Sequence, residues 1–172
     1  MTADQLRSLI RDVPDFPKEG ILFRDVTPLL LDPGALAAAV DLVAAPYRDA
    51  GIDRVLGIES RGFILGAPVA MALGAGFGLV RKAGKLPYES HSVSYELEYG
   101  TDTVELHVDT VEAGQRVLVV DDLIATGGTA GASVELARKA GGDVVGCAFL
   151  IELTFLEGRK CLDVPCHVVL DY

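Results

Sequence analysis

Basic charge is scarce in this chain. Fifteen Lys and Arg face 25 Asp and Glu, a formal net charge of −10, and such a field argues against broad binding to nucleic acid or anionic lipid. The local exception, a cluster of Arg81, Lys82 and Lys85, suits a small anionic ligand instead. Long apolar runs are also missing: none reaches the roughly 20 residues that span a bilayer. Residues 2–11 alternate charge with Leu and Ile rather than building a secretory leader, so a cytoplasmic protein is expected. Cysteine is limited to Cys147, Cys161 and Cys166. An odd number without metal-ligand spacing excludes a disulfide framework and a thiolate metal site, and all three are expected to be reduced packing residues. His91 and His107 have no Cys or His partner at metal spacing either. What remains is ample, since 172 residues that are 50% apolar suffice for one domain, residues 1–172, with its own core.

The apolar pattern switches repeatedly between strand and helix. Residues 2–11 are patterned as a helix leading to Pro14 and Pro17, residues 20–27 as a strand or extended loop, and residues 35–50 as an alanine-rich helix disturbed at Pro46. Short apolar runs at 54–58, 77–82, 116–120 and 144–150 have strand length. Residues 63–73 and 130–140 are helical, the second closed by Gly141-Gly142. Residues 90–108 alternate around Gly100-Thr101-Asp102, the pattern of a long hairpin able to project as a lid. Strands that are apolar on both faces and alternate with helices predict an α/β fold with a mostly parallel central sheet flanked by helices.

The segment Val117-Leu118-Val119-Val120-Asp121-Asp122-Leu123-Ile124-Ala125-Thr126-Gly127-Gly128-Thr129 is the most informative. A buried strand ends in two carboxylates, and a loop of small residues then opens a helix. In open α/β sheets ligands lie outside the carboxyl ends of strands, where helix-entering amides suit a phosphate. The loop lacks the lysine and glycine spacing of a triphosphate P-loop and is not a dinucleotide fingerprint. Gly127 and Gly128 permit close backbone approach to an anion, and Thr126 and Thr129 add hydroxyl donors. Asp121 and Asp122 would repel that phosphate but accept from neighbouring sugar hydroxyls, so the local chemistry suggests a ribose 5-phosphate. The bland alternative is a tight strand-to-helix turn capped by Thr129.

This segment resembles the ribose-phosphate signature of the type I phosphoribosyltransferases. Several other stretches are similar to the adenine-using members: Gly20-Ile21-Leu22-Phe23-Arg24-Asp25-Val26-Thr27-Pro28, Glu59-Ser60-Arg61-Gly62-Phe63, Arg81-Lys82-Ala83-Gly84-Lys85-Leu86-Pro87, Ser94-Tyr95-Glu96-Leu97-Glu98-Tyr99-Gly100 and Ile151-Glu152-Leu153-Thr154. They follow in order across nearly the whole chain. The resemblance implies a purine salvage enzyme that moves the 5-phosphoribosyl group from 5-phosphoribosyl 1-pyrophosphate to N9 of adenine, giving AMP and pyrophosphate. It implies Mg2+, held mainly through substrate with a water-mediated link to Asp121, and a homodimer whose partner reaches the pyrophosphate.

By the same resemblance, Asp121 and Asp122 hold the ribose hydroxyls, and Ala125, Thr126, Gly127, Gly128 and Thr129 cradle the 5-phosphate. Glu59, Ser60, Arg61, Arg81, Lys82 and Lys85 surround the pyrophosphate. A small amino-terminal hood, about residues 14–30, covers the base: Phe23 stacks on it, the Leu22 and Arg24 main chains read its edge, and Leu153 packs on the other side. Glu98 in a flexible lid, about residues 86–108, is the candidate general acid or base, with Tyr99 beside it. From the residues alone, Phe23 reads equally as a core side chain, Arg61 as a turn arginine and Glu98 as one of several solvated acids. A sensor of phosphoribosyl pyrophosphate and a transferase for another purine are the competing readings.

Overall fold

Val117 and Val119 turn to one face of a sheet and Leu118 and Val120 to the other, and none of the four is exposed to solvent. A strand apolar on both sides has to lie in the middle of a covered sheet, and the rest of the chain is arranged around it. The computed structural model describes residues 1–97 and 100–172, so the expectations for Glu98 and Tyr99 lie outside the described residues. In chain order the elements are α1 (Ala3–Arg7), β1 (Arg11–Pro14), β2 (Leu22–Asp25), α2 (Thr27–Leu31), α3 (Pro33–Ala44), β3 (Arg54–Ile58), α4 (Arg61–Leu73), β4 (Gly76–Lys82), β5 (Ser90–Glu96), β6 (Thr101–His107), β7 (Arg116–Ile124), α5 (Gly128–Lys139), β8 (Asp143–Glu152) and β9 (Cys166–Asp171).

Among the described residues, seven strands form the main sheet in the order β5-β6-β4-β3-β7-β8-β9. The five from β4 to β9 run parallel, and β5 and β6 form the expected antiparallel hairpin on the β4 edge. One face packs Leu118, Val120 and Leu150 against Leu6, Leu29, Ala39, Val43, Leu65 and Val69 of helices α1 to α4. The other packs Val117, Val119 and Phe149 against Val134, Leu136 and Ala137 of α5, together with Val93, Val104 and Leu106 of the hairpin. Local chemistry agrees with the helix starts. Asp32 caps α3 by accepting from the Ala35 N–H at 2.8 Å, and Pro33 occupies the first turn, where its missing N–H costs nothing.

Four expectations need correction. The helix patterned over residues 2–11 stops at Arg7, because Arg11–Pro14 pairs antiparallel with Leu22–Asp25 as a separate two-stranded sheet; tertiary pairing overrides a weak helical preference. Strand β7 does not end at Val120. It runs through both acids to Ile124 because β8 continues alongside and offers Phe149, Ile151 and Glu152 as partners for Asp121, Leu123 and Ile124. The chain also adds α2 and the edge strand β9, neither of which stood out in the sequence. Finally, Cys147 is buried and Cys166 half-buried, but Cys161 is exposed and so is not a packing residue.

Removing the Leu118 side chain beyond Cβ leaves a void in the centre of the sheet. Leu118→Ala is expected to cost about 2–5 kcal/mol, read as a lower denaturant midpoint at unchanged slope.

Candidate functional site

The alternation that builds the core decides what the two acids face. Carried two residues past Val120, it places Asp121 on the α5 side, where its carboxylate lines a cavity, and Asp122 on the α4 side, where it meets Arg61. Arg61 stands in the first turn of α4 and donates from Nε to Asp122 Oδ2 at 2.5 Å; the Asp122 side chain is only 7% exposed. Asp121 Oδ1 accepts from the Asp122 N–H at 2.8 Å. Such close approach requires Gly62, because a Cβ there would lie 2.8 Å from Asp121 Oδ1 and 2.9 Å from the Val120 carbonyl. The cavity also sits where the sheet order reverses, β3 continuing through α4 to β4 on one side while β7 adds on the other. That is the crevice in which open α/β sheets bind ligands.

Ala125, Thr126, Gly127, Gly128 and Thr129 line the same cavity of about 160 Å³, with Glu59 and Lys82 on its far wall. Gly127 has φ +82°, and a Cβ there would come within 2.1 Å of the Gly158 carbonyl oxygen; only glycine meets both conditions. Neither α4 nor α5 has a side-chain cap at its start, so two helix amino-terminal ends keep unpaired donors at this end of the sheet, an environment favourable to anions. The loop is braced from outside. Arg159 donates to the buried Glu152 at 2.7 Å, holding the Gly158 segment against it, and the Cys161 thiol donates to the Thr126 carbonyl at 3.2 Å. Sequence reading assigned neither brace.

The basic cluster divides rather than converging. Arg81 is engaged by Glu59 at 3.3 Å, and Glu59 also accepts from the Lys82 N–H at 2.9 Å. That backbone bond, partly opposed by burial and reinforced by Arg81, holds the Glu59 carboxyl below its ordinary value. Glu59 is thus an acid that orients a cation, and Ser60 beside it is exposed. Lys82 lines the cavity, pairs with Asp102 and donates to the Tyr95 hydroxyl at 2.8 Å. Lys85 is exposed, and its carbonyl accepts from Arg81 at 3.3 Å. Asp102, at the turn of the hairpin, is held by Lys82 in an ion pair and half-buried.

On the other side of Arg61 lies a second hollow of about 210 Å³ lined by Val13, Phe16, Phe23 and Asp25. Phe23 meets Phe16 edge-on with centroids 5.2 Å apart, and the Arg61 guanidinium sits 5.6 Å from the Phe23 ring centre. Phe23 is therefore not a core side chain, and Arg61 connects the aromatic hollow to the acid pair. Leu22 is 45% exposed. Arg24 pairs with Asp12 and stacks 4.1 Å over the Tyr172 ring, which Arg7 covers at 4.7 Å. The chain end, which carried no signal in the sequence, thus steadies the arginine of this sheet. Asp25, assigned no chemistry, lies in the hollow wall and accepts from the Thr27 N–H and hydroxyl at 2.9 and 2.8 Å. Leu153 donates its N–H to the Ile124 carbonyl at 3.0 Å, so it borders the strand end that carries the acids.

Burial, and after it the negative charge of Asp122, holds the Asp121 carboxyl well above the usual carboxylate range. Among the described residues no cation pairs with it, and no group of three or more His, Cys, Asp or Glu is placed to hold a metal ion. A single carboxyl on the cavity wall fits only a hydrated divalent cation held chiefly through substrate oxygens, with the water-mediated link to Asp121 that the resemblance implies. The linkage has a definite sign. Stability contributed by the protonated carboxyl is present below the unfolded value and is lost as pH rises through the raised folded value. Asp121→Asn is therefore expected to raise the melting temperature at neutral pH, the gain narrowing toward about pH 4, where Asp121 is itself protonated; thermal melts of both proteins across that range check it.

Residues 29–169 match the model of the phosphoribosyl transferase domain. The adenine phosphoribosyltransferase of Cyanothece sp. is 58% identical over 168 residues, covering 97% of this chain and 99% of that protein. Among solved structures, adenine phosphoribosyltransferase from Rhodothermus marinus aligns with a TM-score of 0.95 at 56% identity, covering 99% of this chain and 98% of that one. The Saccharomyces cerevisiae enzyme, complexed with an imino-altritol bisphosphate and adenine, aligns with a TM-score of 0.94 at 42% identity over 98% of each chain. With the signature loop and Asp121 lining one cavity and the Phe23 hollow lying beyond Arg61, the chain belongs to the phosphoribosyl transferase domain family, among the adenine phosphoribosyltransferases.

Proposed function

We propose that this chain transfers the 5-phosphoribosyl group of 5-phosphoribosyl 1-pyrophosphate to N9 of adenine, yielding AMP and pyrophosphate in purine salvage. One observation carries the reading: Arg61, paired with Asp122 next to the cavity acid Asp121, also lies 5.6 Å from the ring centre of Phe23 in the aromatic hollow. The donor's 5-phosphate lies on Ala125, Thr126, Gly127, Gly128 and Thr129, and its ribose hydroxyls donate to Asp121 of the acid pair, with Asp122 behind it holding Arg61. Because pyrophosphate leaves with the bonding electrons, positive charge grows on the ribose ring, and the adjacent carboxylates stabilise it.

The Nε of Arg61 is committed to Asp122, so its terminal nitrogens are the ones that donate to the leaving group. Lys82, with Arg81 set by Glu59 and with Ser60 and Lys85 nearby in sequence, completes the pyrophosphate side. Bound Mg2+ supplies further neutralisation of the leaving pyrophosphate. Residues 14–30 form the hood: Phe23 stacks on adenine, the Leu22 and Arg24 main chains read its edge, and Leu153 closes the opposite side. Residues 86–108 form the lid and exclude water that would hydrolyse the donor; Glu98 serves as the general acid or base there, with Tyr99 beside it.

The protein works as a homodimer in the cytoplasm. Exposed Ile64, Met71, Leu79 and Tyr88 support a self-associating surface, and three free cysteines suit a reducing compartment.

Purified protein incubated with Mg2+, phosphoribosyl pyrophosphate and each purine base should form AMP from adenine and disfavour hypoxanthine by at least about a hundredfold, because a mismatched base edge leaves buried polar groups unpaired. Absence of AMP would overturn the reading. The Asp121→Asn, Asp122→Asn double variant should fold yet lose on the order of a hundredfold or more in kcat, measured by pyrophosphate release.

A further inference from the structure

Lys82 has two anions to choose between. Lys82 lines the cavity beside the 125–129 loop, yet its ammonium group is ion-paired with Asp102 of β6 and donates to the Tyr95 hydroxyl of β5 at 2.8 Å. The same hydroxyl is 3.2 Å from Asp102 Oδ2 and 2.9 Å from Thr129 Oγ1 in the first turn of α5. The Tyr95 ring also lies against Gly128, where an added Cβ would come within 3.2 Å of it. One hairpin therefore clasps a pyrophosphate-side cation and a phosphate-loop hydroxyl together. The pair is only partly screened, with side-chain exposures of 38% for Lys82 and 31% for Asp102. A lysine is a point charge with three donors, so an incoming phosphate oxygen has to displace a carboxylate that is already in contact, or share Lys82 with it against like-charge repulsion.

We propose that Asp102 is a positioning residue that competes with pyrophosphate for Lys82, weakening the grip of the site on that group and so hastening its departure. The proposal rests on the reading that pyrophosphate lies against Lys82. Tyr95 ties the exchange to the phosphate loop: when Lys82 turns to an anion in the cavity, the hydroxyl keeps the hairpin attached through Thr129.

The test uses the full chain with Mg2+ and inorganic pyrophosphate as the probe, its affinity measured by calorimetry and its dissociation rate by rapid mixing. Asp102→Asn preserves volume and hydrogen bonding but removes the charge, and should tighten binding about three- to tenfold, mostly through slower dissociation. Asp102→Glu, which keeps the charge, should stay close to the parent. In a Lys82→Met background, Asp102→Asn should have no such effect, since the competition needs both partners. A purely structural role would weaken binding in the Asn variant instead; unchanged or weaker binding there, or tightening that persists without Lys82, overturns the proposal. Should the Asn variant not fold, Asp102→Ser carries the same expectations. AMP formation by the parent separates the two readings. If AMP forms but Asp102→Asn does not tighten pyrophosphate, the competition fails and the transfer reaction stands; if no AMP forms but the Lys82-dependent tightening is seen, the reverse holds.

Discussion

The strict two-residue alternation of β7 is the constraint on which the site depends. Val117 and Val119 lock one face of the strand into the α5 layer, while Leu118 and Val120 lock the other into the layer of α1 to α4. With both faces fixed, the register cannot slip, since a one-residue shift would exchange every side chain between faces. Asp121 and Asp122 inherit that rigidity. They lie beyond the apolar run, yet β8 still satisfies the strand backbone as far as Ile124, so both carboxylates are held by one well-supported segment, Asp121 at the cavity and Asp122 against Arg61. A flexible loop carrying the same two acids would not hold one against Arg61 and the other in the cavity.

Placing them there works against stability. Asp121 is half-buried on the cavity wall, faces the charge of Asp122 through one peptide unit, and is pushed toward its neutral form. Arg61 relieves only one of the two acids directly. Burial draws its own pKa down, but Asp122 and then Asp121 outweigh that and raise it. A protein tuned for stability alone would carry an amide at position 121. A carboxylate there makes sense for a partner with positive character, whether a hydrated cation or an electron-poor sugar ring, so the unfavourable electrostatics and the proposed chemistry have one origin.

How much of this was legible in the sequence follows the distance over which each feature is determined. The single strands of the parallel sheet, the Asp121-Asp122 pair, the Gly127-Gly128 turn and the β5–β6 hairpin are each encoded in one continuous segment, and local periodicity exposes them. The β1–β2 sheet joins Arg11 to Asp25 and required a pairing partner that no local pattern announces. Strand β9 is half-buried and short, and Tyr172 acquires its role only when Arg7 and Arg24 fold onto it. Asp102 looked like one acid among several because Lys82, its partner, lies 20 positions away. Phe23 shows the same limit from the other side: its composition suits a core or a stacking platform equally, and only the hollow shared with Phe16 distinguishes them.

The deficit of basic charge finally explains how the cations of the site are kept. Arg61 is held by Asp122, Arg81 by Glu59, Lys82 by Asp102, Arg24 by Asp12 and Arg159 by Glu152. In an acidic chain a bare cationic pocket would attract any phosphate at hand; pairing these five cations with acids makes binding at them an exchange of partners. Exchange favours ligands that can replace several acids at once. On the proposed function, a lone phosphate would displace one contact and gain little over the carboxylate it removes, whereas a diphosphate joined to a phosphorylated sugar would reach Lys82, Arg61 and the uncapped start of α5 together, so the intrinsic acids would favour multiply charged ligands of the right span.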